Sequence, residues 1–329
     1  MNNHFLEESS CIQTVLGFLL PEKLSHCQCH EHLFIAKGKS YELHPSIYMD
    51  DLDRTTRELI LYREAGGASL VDAQPIGCGR MAGLLREASI MSGVNVIAST
   101  GFHKLVFYPD NHWVFLLNED RLTRLYIDEI KNGMFEDGDS SLPSIRIDAK
   151  PGIIKTALDV QGLEGNYRKL FMAAAGASKE TGASLMCHIE KGSEAIDMIT
   201  FLIGMGVKPE SIILSHLDRG KYDLGYHKEI ASAGVYLEYD TIGRFKYHSD
   251  EEEVQLILGM LEAGFERQLL LGLDTTRERL KSYGGAIGLE YILKNFIPTL
   301  KRAGATDKAI NSMTRTNPGN ALKLNKTGV

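Results

Sequence analysis

Short apolar runs alternate along this chain with amphipathic stretches long enough to be helices. The runs fall at residues 25–34, 68–74, 94–101, 151–158, 184–190, 211–218, 235–240 and 268–274. Between them the pattern predicts helices over Asp51–Ala65, closed by Gly66-Gly67, and over Cys78–Ser92, stopped by Gly93. Further helices are expected up to about Asn132, over Tyr167–Thr181, through Gly206, up to Ala233-Gly234 and over Glu252–Gly264. Residues 11–20 predict a short hairpin ahead of the first run, and two helices should follow the last. Strands that alternate with helices imply a parallel sheet. Eight such units in 329 residues favour a closed barrel over an open doubly wound sheet. No glycine-rich dinucleotide fingerprint follows the first run, which weakens the open-sheet alternative. The expectation is an α/β protein: a single (β/α)8 TIM barrel domain over residues 1–329, with a short N-terminal hairpin and an extra C-terminal helix.

Polar residues interrupt these runs at one end. The first contains Ser25-His26-Cys27-Gln28-Cys29-His30-Glu31-His32-Leu33-Phe34. Strict strand alternation would put His26, Gln28, His30 and His32 on one face. Cys27 and Cys29 would then face the outer helices as small buried hydrophobes. Two imidazoles two residues apart at a strand end can grip one divalent ion. Downstream, Lys155 lies in the fourth run, His188 and His216 end the fifth and sixth, and Asp274 ends the eighth. In a barrel the active site sits at the C-terminal ends of the strands. One such histidine is commonly a satisfied core residue. Several polar groups at equivalent depth are harder to ascribe to packing, because each unpaired buried one costs a few kcal/mol. Lys155, flanked by Gly-Ile-Ile and Thr-Ala, makes sense only as a neutral amine or converted to an anion.

Composition narrows the class. The chain is 43% hydrophobic and 24% charged, with net charge −7 and pI near 5.9. That balance argues against nucleic-acid and membrane-surface partners. No apolar run approaches the roughly 18 residues of a membrane span, and the acidic N-terminus lacks the order of a signal peptide. Five scattered cysteines make a disulfide framework unlikely and a reducing cytoplasm the expected location.

The ordered set His30-Glu31-His32-Leu33, Lys155, His188, His216 and Asp274 resembles the phosphotriesterase family of the amidohydrolase superfamily, including its lactonase branch. The resemblance runs down to Thr316-Asn317-Pro318. It implies two divalent metal ions, zinc by default and manganese or cobalt as alternatives. His30, His32 and Asp274 would hold one, and His188 and His216 the other. Lys155 would carry a carbamate derived from carbon dioxide and bridge the pair. A bridging hydroxide would attack the substrate, with Asp274 taking its proton.

Substrate is set by loops. Basic residues follow four strands: His103 and Lys104, Arg219 and Lys221, Arg244 and Lys246, and Arg277, Arg279 and Lys281. Any one charged loop residue is ordinarily solvated surface. Their clustering in an acidic chain points to a small anionic substrate such as a phosphate ester. Acyl-homoserine lactonases of the family carry Gly-x-Tyr after the third strand, whereas this chain has Gly101-Phe102-His103. The resemblance therefore implies a lactonase for phosphorylated or otherwise anionic sugar lactones. A phosphotriesterase or phosphodiesterase is the rival within the class, and a catalytically retired binding barrel is the rival outside it. Barrels of this kind often form homodimers, to which the aromatic residues around Trp113 could contribute.

Overall fold

The computed structural model describes residues 11–190, 195–220 and 223–325. An antiparallel hairpin, β1 (Ile12–Thr14) and β2 (Gly17–Leu19), opens the chain. Eight parallel strands follow: β3 (Cys27–Glu31), β4 (Ser69–Asp72), β5 (Asn95–Gly101), β6 (Ile153–Leu158), β7 (Leu185–Ile189), β8 (Ile212–Ser215), β9 (Tyr236–Tyr239) and β10 (Leu269–Leu271). They pair in sequence order from β3 to β10. Helices Leu52–Glu64, Ala82–Ser92, Glu119–Asn132, Gly165–Thr181, Ala195–Gly204, Leu224–Ser232 and Asp250–Glu262 wrap the outside. The architecture is the expected (β/α)8 barrel, nearly closed.

The seam is held mostly by one carboxylate. Asp274 donates its backbone N–H to the His30 carbonyl at 2.9 Å. Glu31, fully buried, accepts from Leu273 N–H at 2.9 Å, Thr275 N–H at 3.1 Å and Thr275 Oγ1 at 2.6 Å. The glutamate of the His-Glu-His motif is thus a clasp between β3 and the end of β10. Because Glu31 takes the N–H groups of Leu273 and Thr275, the last strand is shorter than the apolar run that encodes it.

The lower barrel is filled by Val71, Ile97, Ile153, Met186, Ile213 and Leu270, one from each of six strands. Burying each large aliphatic side chain is worth about 1.5–3 kcal/mol. Ile12 of the hairpin and Leu322 of the C-terminal helix Asn317–Leu322 close this layer from below. Cys27 and Cys29 belong to the same cluster, so they point into the barrel and not toward the outer helices. His26 instead stacks near Tyr62 on the outer helix, with ring centroids 5.9 Å apart, and Gln28 donates to the Leu289 carbonyl. Strict alternation fails because the β3–β4 register slips between Gln28 and Glu31. One extra residue, a β-bulge, turns the chain and brings His30 to the inside despite its parity.

The helix expected from Cys78 begins only at Ala82. Gly77 and Gly79 have φ of +73° and +82°, which a helix cannot accommodate. Trp113 is buried, with Nε1 donating to the Gly138 carbonyl at 2.7 Å, so it presents no face to a second subunit. No described helix is long and apolar enough to cross a membrane.

Candidate active site

Lumen-facing positions alternate along each strand, and the layer above the aliphatic plug is polar. Lys155 stands two residues beyond Ile153, and His188 two beyond Met186. Both sit among imidazoles. Lys155 Nζ lies 3.1 Å from His30 Nε2. Asp274 Oδ1 lies 3.5 Å from His32 Nε2 and 3.9 Å from His30 Nε2. The His216 ring is 4.8 Å from that of His30 and 4.4 Å from that of His188. The structure therefore brings His30, His32, Lys155, His188, His216 and Asp274 together, every one of them buried.

A second tier of carboxylates orients the imidazoles. Glu238 Oε2 accepts from His30 Nδ1 at 2.7 Å and from Ser215 Oγ at 2.6 Å. Asp240 binds His216 twice, at Nδ1 (2.7 Å) and at the backbone N–H (3.0 Å), and lies 3.2 Å from His30 Nδ1. With both Nδ1 atoms engaged, His30 and His216 offer Nε2 to a ligand. Sequence reasoning passed over Glu238 and Asp240, reading residues 235–240 as an ordinary strand. Their i, i+2 spacing at a strand's C-terminal end was the available signal.

Electrostatics follow from burial and these partners. Burial pushes His188 down to about 3, and burial with the Arg219 guanidinium drives His216 well below the usual range. Burial and the Lys155 ammonium oppose a charge on His30, but Glu238 and Asp240 together lift it to about 9. Burial lowers Lys155 to about 8, so far more of it is neutral near neutrality than of an exposed lysine. Burial would raise Asp274, but Arg244 and Arg219 outweigh it and hold the carboxylate well below its ordinary value. Arg219 and Arg244 both donate to Oδ2, Arg244 at 2.5 Å, while Oδ1 faces the imidazoles.

His216 and Asp274 also share a backbone peculiarity. Among the described residues, only these two and Ser25 are non-glycines in the left-handed region, at φ +67° and +47° for the pair. Such strain collects at functional sites. Gly101, with φ +100°, packs so tightly on β6 that a Cβ there would lie 2.0 Å from the Lys155 carbonyl oxygen.

The buried donors fit a metal. They are imidazole nitrogens, a carboxylate and an amine, a set suited to zinc, manganese or cobalt. His32 Nδ1 has no hydrogen-bond partner, and the donor atoms of His30, His32 and Asp274 lie within 4.8 Å of one another.

Above this floor is a cavity of about 280 Å³ at the C-terminal mouth. His103, Lys104, Arg219, Arg244, Lys246 and Glu190 all line it. Glu190 accepts from His188 at 3.0 Å and from Lys104 at 2.9 Å, and the His188 bond foremost lowers its pKa to about 2. Burial makes His103 a neutral imidazole. Arg277 is outside the cavity wall, stacked 5.8 Å over Tyr283. Arg279 is a buried strut donating to the Leu273 and Ile242 carbonyls, and Lys281 pairs with Glu290 at 2.6 Å. Those three cations are occupied elsewhere because the chain after β10 folds back onto the barrel rim. Lys221 lies outside the described residues.

Residues 10–322 match the model of the phosphotriesterase family. The chain belongs to the phosphotriesterase family. It is an ester-hydrolysing enzyme of that family. Among its relatives is a phospho-furanose lactonase of Mycoplasmopsis synoviae, 30% identical over 97% of this chain and 93% of the relative. An amidohydrolase from Mycoplasma synoviae superposes with a TM-score of 0.92 at 30% identity, covering 98% of this chain and 94% of that one. A lactonase from Listeria monocytogenes gives 0.88 at 25% identity, covering 96% and 100%.

Proposed function

We propose that this enzyme is a binuclear metal-dependent lactonase that opens a phosphorylated or otherwise anionic sugar lactone. The carrying observation is charge: apart from the proposed metal ligands Lys155 and Asp274, four cationic side chains (Lys104, Arg219, Arg244, Lys246) line the cavity against two carboxylates (Glu190, Glu278). A neutral triester gains nothing from that excess. The similarity to a phospho-furanose lactonase supports the same substrate class.

His30, His32 and Asp274 would hold one divalent ion and His188 and His216 the other, with Lys155 as a carbamate between them. When bound, such ions lower the pKa of water toward neutrality and polarise a carbonyl oxygen. The pKa of Lys155 near 8 supports the carbamate, since only the neutral amine adds carbon dioxide. Lactone opening adds water across the ring ester, giving an alcohol and a carboxylic acid that ionises to a carboxylate and releases one proton to solvent. Asp274, kept ionised by two guanidiniums, accepts the proton of the attacking water and returns it to the departing ring oxygen. Lys246 stands exposed on the rim with no carboxylate in ion-pair range among the described residues, and it is the group best placed to receive a phosphate. His103 and Phe107 wall the cavity on the side of β5. Four buried cysteines outside any disulfide (Cys27, Cys29, Cys78 and Cys187) support a reducing, cytoplasmic location.

The test is hydrolysis followed by a pH indicator, comparing sugar lactones with their phosphorylated counterparts and one neutral triester. The phosphorylated lactone should be preferred, and Lys246→Ala should raise KM for it while leaving the unphosphorylated lactone unchanged. Turnover of the triester alone would overturn the reading.

A further inference from the structure

Behind the catalytic cavity lies a second buried cluster that the proposed reaction does not use. Asp218 stands in the turn Leu217–Arg219 that follows β8. His248 and Glu253 flank the start of helix Asp250–Glu262. Their exposures are 1%, 5% and 0%. His248 Nε2 lies 3.2 Å from Glu253 Oε2 and 3.9 Å from Asp218 Oδ2, and all three donor atoms fall within 4.8 Å of one another. Thr241 Oγ1 is 2.8 Å from the same imidazole nitrogen.

We infer that Asp218, His248 and Glu253 bind one divalent cation. Three observations support it. Both oxygens of Glu253 and Oδ1 of Asp218 are buried without a hydrogen-bond partner, a costly arrangement unless a cation satisfies them. Neither carboxylate has a lysine or arginine within ion-pair range among the described residues; the basic side chain that each approaches is His248. The donor spacing also suits a metal. Two ligands about 2.0–2.2 Å from a tetrahedral ion stand roughly 3.4 Å apart, and 3.2 and 3.9 Å bracket that value. One imidazole with two carboxylates suits zinc or manganese.

The bound ion would tie three segments together: the turn after β8 at Asp218, the loop ahead of the following helix at His248, and the first turn of that helix at Glu253. Asp218 Oδ2 already accepts from Thr241 N–H at 2.6 Å. Thr241 adjoins Asp240, the carboxylate that orients His216. The site would therefore act as a structural pin and take no part in chemistry.

The experiment is a metal count by mass spectrometry on full-length protein loaded with zinc and freed of excess ion. Glu253→Gln should hold one equivalent fewer than wild type. Lys155→Ala, stripped of its catalytic ions, should retain one equivalent that Lys155→Ala/Glu253→Gln loses. Equal counts in each pair would overturn the proposal and leave His248 as a plain polar neighbour of the two carboxylates. If Glu253→Gln does not fold, His248→Gln serves in the same comparison. The melting temperature of Lys155→Ala gives a second readout: zinc should raise it, and no shift would also overturn the proposal.

Discussion

Asp240 is the residue on which the orientation of two imidazoles depends, and replacing it with asparagine isolates that role. Its carboxylate accepts from His216 Nδ1, from the His216 backbone N–H and, at 3.2 Å, from His30 Nδ1. The isosteric amide has one accepting oxygen and a nitrogen that only donates. Whichever way it turns, at least one N–H of His216 or His30 faces another donor. Loss of an outer-shell partner typically weakens metal binding 10- to 100-fold, or about 1.4–2.8 kcal/mol. Because one carboxylate serves an imidazole of each of the two proposed ions, the upper figure applies, and Asp240→Asn should weaken zinc binding by about 100-fold. Asp240→Ala should do no worse, since it removes the acceptor without inserting a donor. The assay is competition for zinc against a chromogenic chelator at neutral pH, with circular dichroism to confirm the fold. An Asp240→Asn protein that holds zinc as tightly as wild type would refute this account of the site.

His26 should make stability fall in mild acid. Its Nε2 is buried without a partner, and burial, with Arg315, pushes its pKa from 6.5 to about 3. Between those values the unfolded chain binds a proton that the folded chain refuses. The stability is thus full above pH 6.5 and lost as pH falls, by up to about 1.4 kcal/mol per unit. Urea unfolding of His26→Gln should show a shallower acid slope, and an unchanged slope would remove His26 from the effect. Gly101→Ala combines an unfavourable φ with a Cβ 2.0 Å from the Lys155 carbonyl. It should cost about 3 kcal/mol or more, read as a lower urea midpoint, and a wild-type midpoint would show that β5 can shift at no cost.

Much of the barrel was legible because strand and helix periods differ and each run is bounded by its own breakers. The convergence of His30, Lys155, His188, His216 and Asp274 was legible for a topological reason. Parallel strands bring their C-terminal ends to one mouth, so equivalent depth in sequence becomes proximity in space. The β3 bulge was not legible. Alternation assumes a regular ladder, and an inserted residue leaves no mark in a run that is buried on both faces. Glu238 and Asp240 were missed for a related reason: a short strand ending in polar residues resembles a solvated strand end. The functions of Arg279 and Lys281 depend on how the chain after β10 returns to the rim, a tertiary contact that no local spacing encodes.

The left-handed backbone at His216 and Asp274 has a consequence for heat tolerance. A side chain with a Cβ in that region gives up about 1–2 kcal/mol that glycine would not. Both positions therefore hold back stability that the fold could otherwise reach. A descendant released from hydrolysis would recover that stability by drifting to glycine at either one. Turnover and thermal endurance are set against each other at two named residues, and a thermostabilised form of this enzyme must find its gain elsewhere in the barrel.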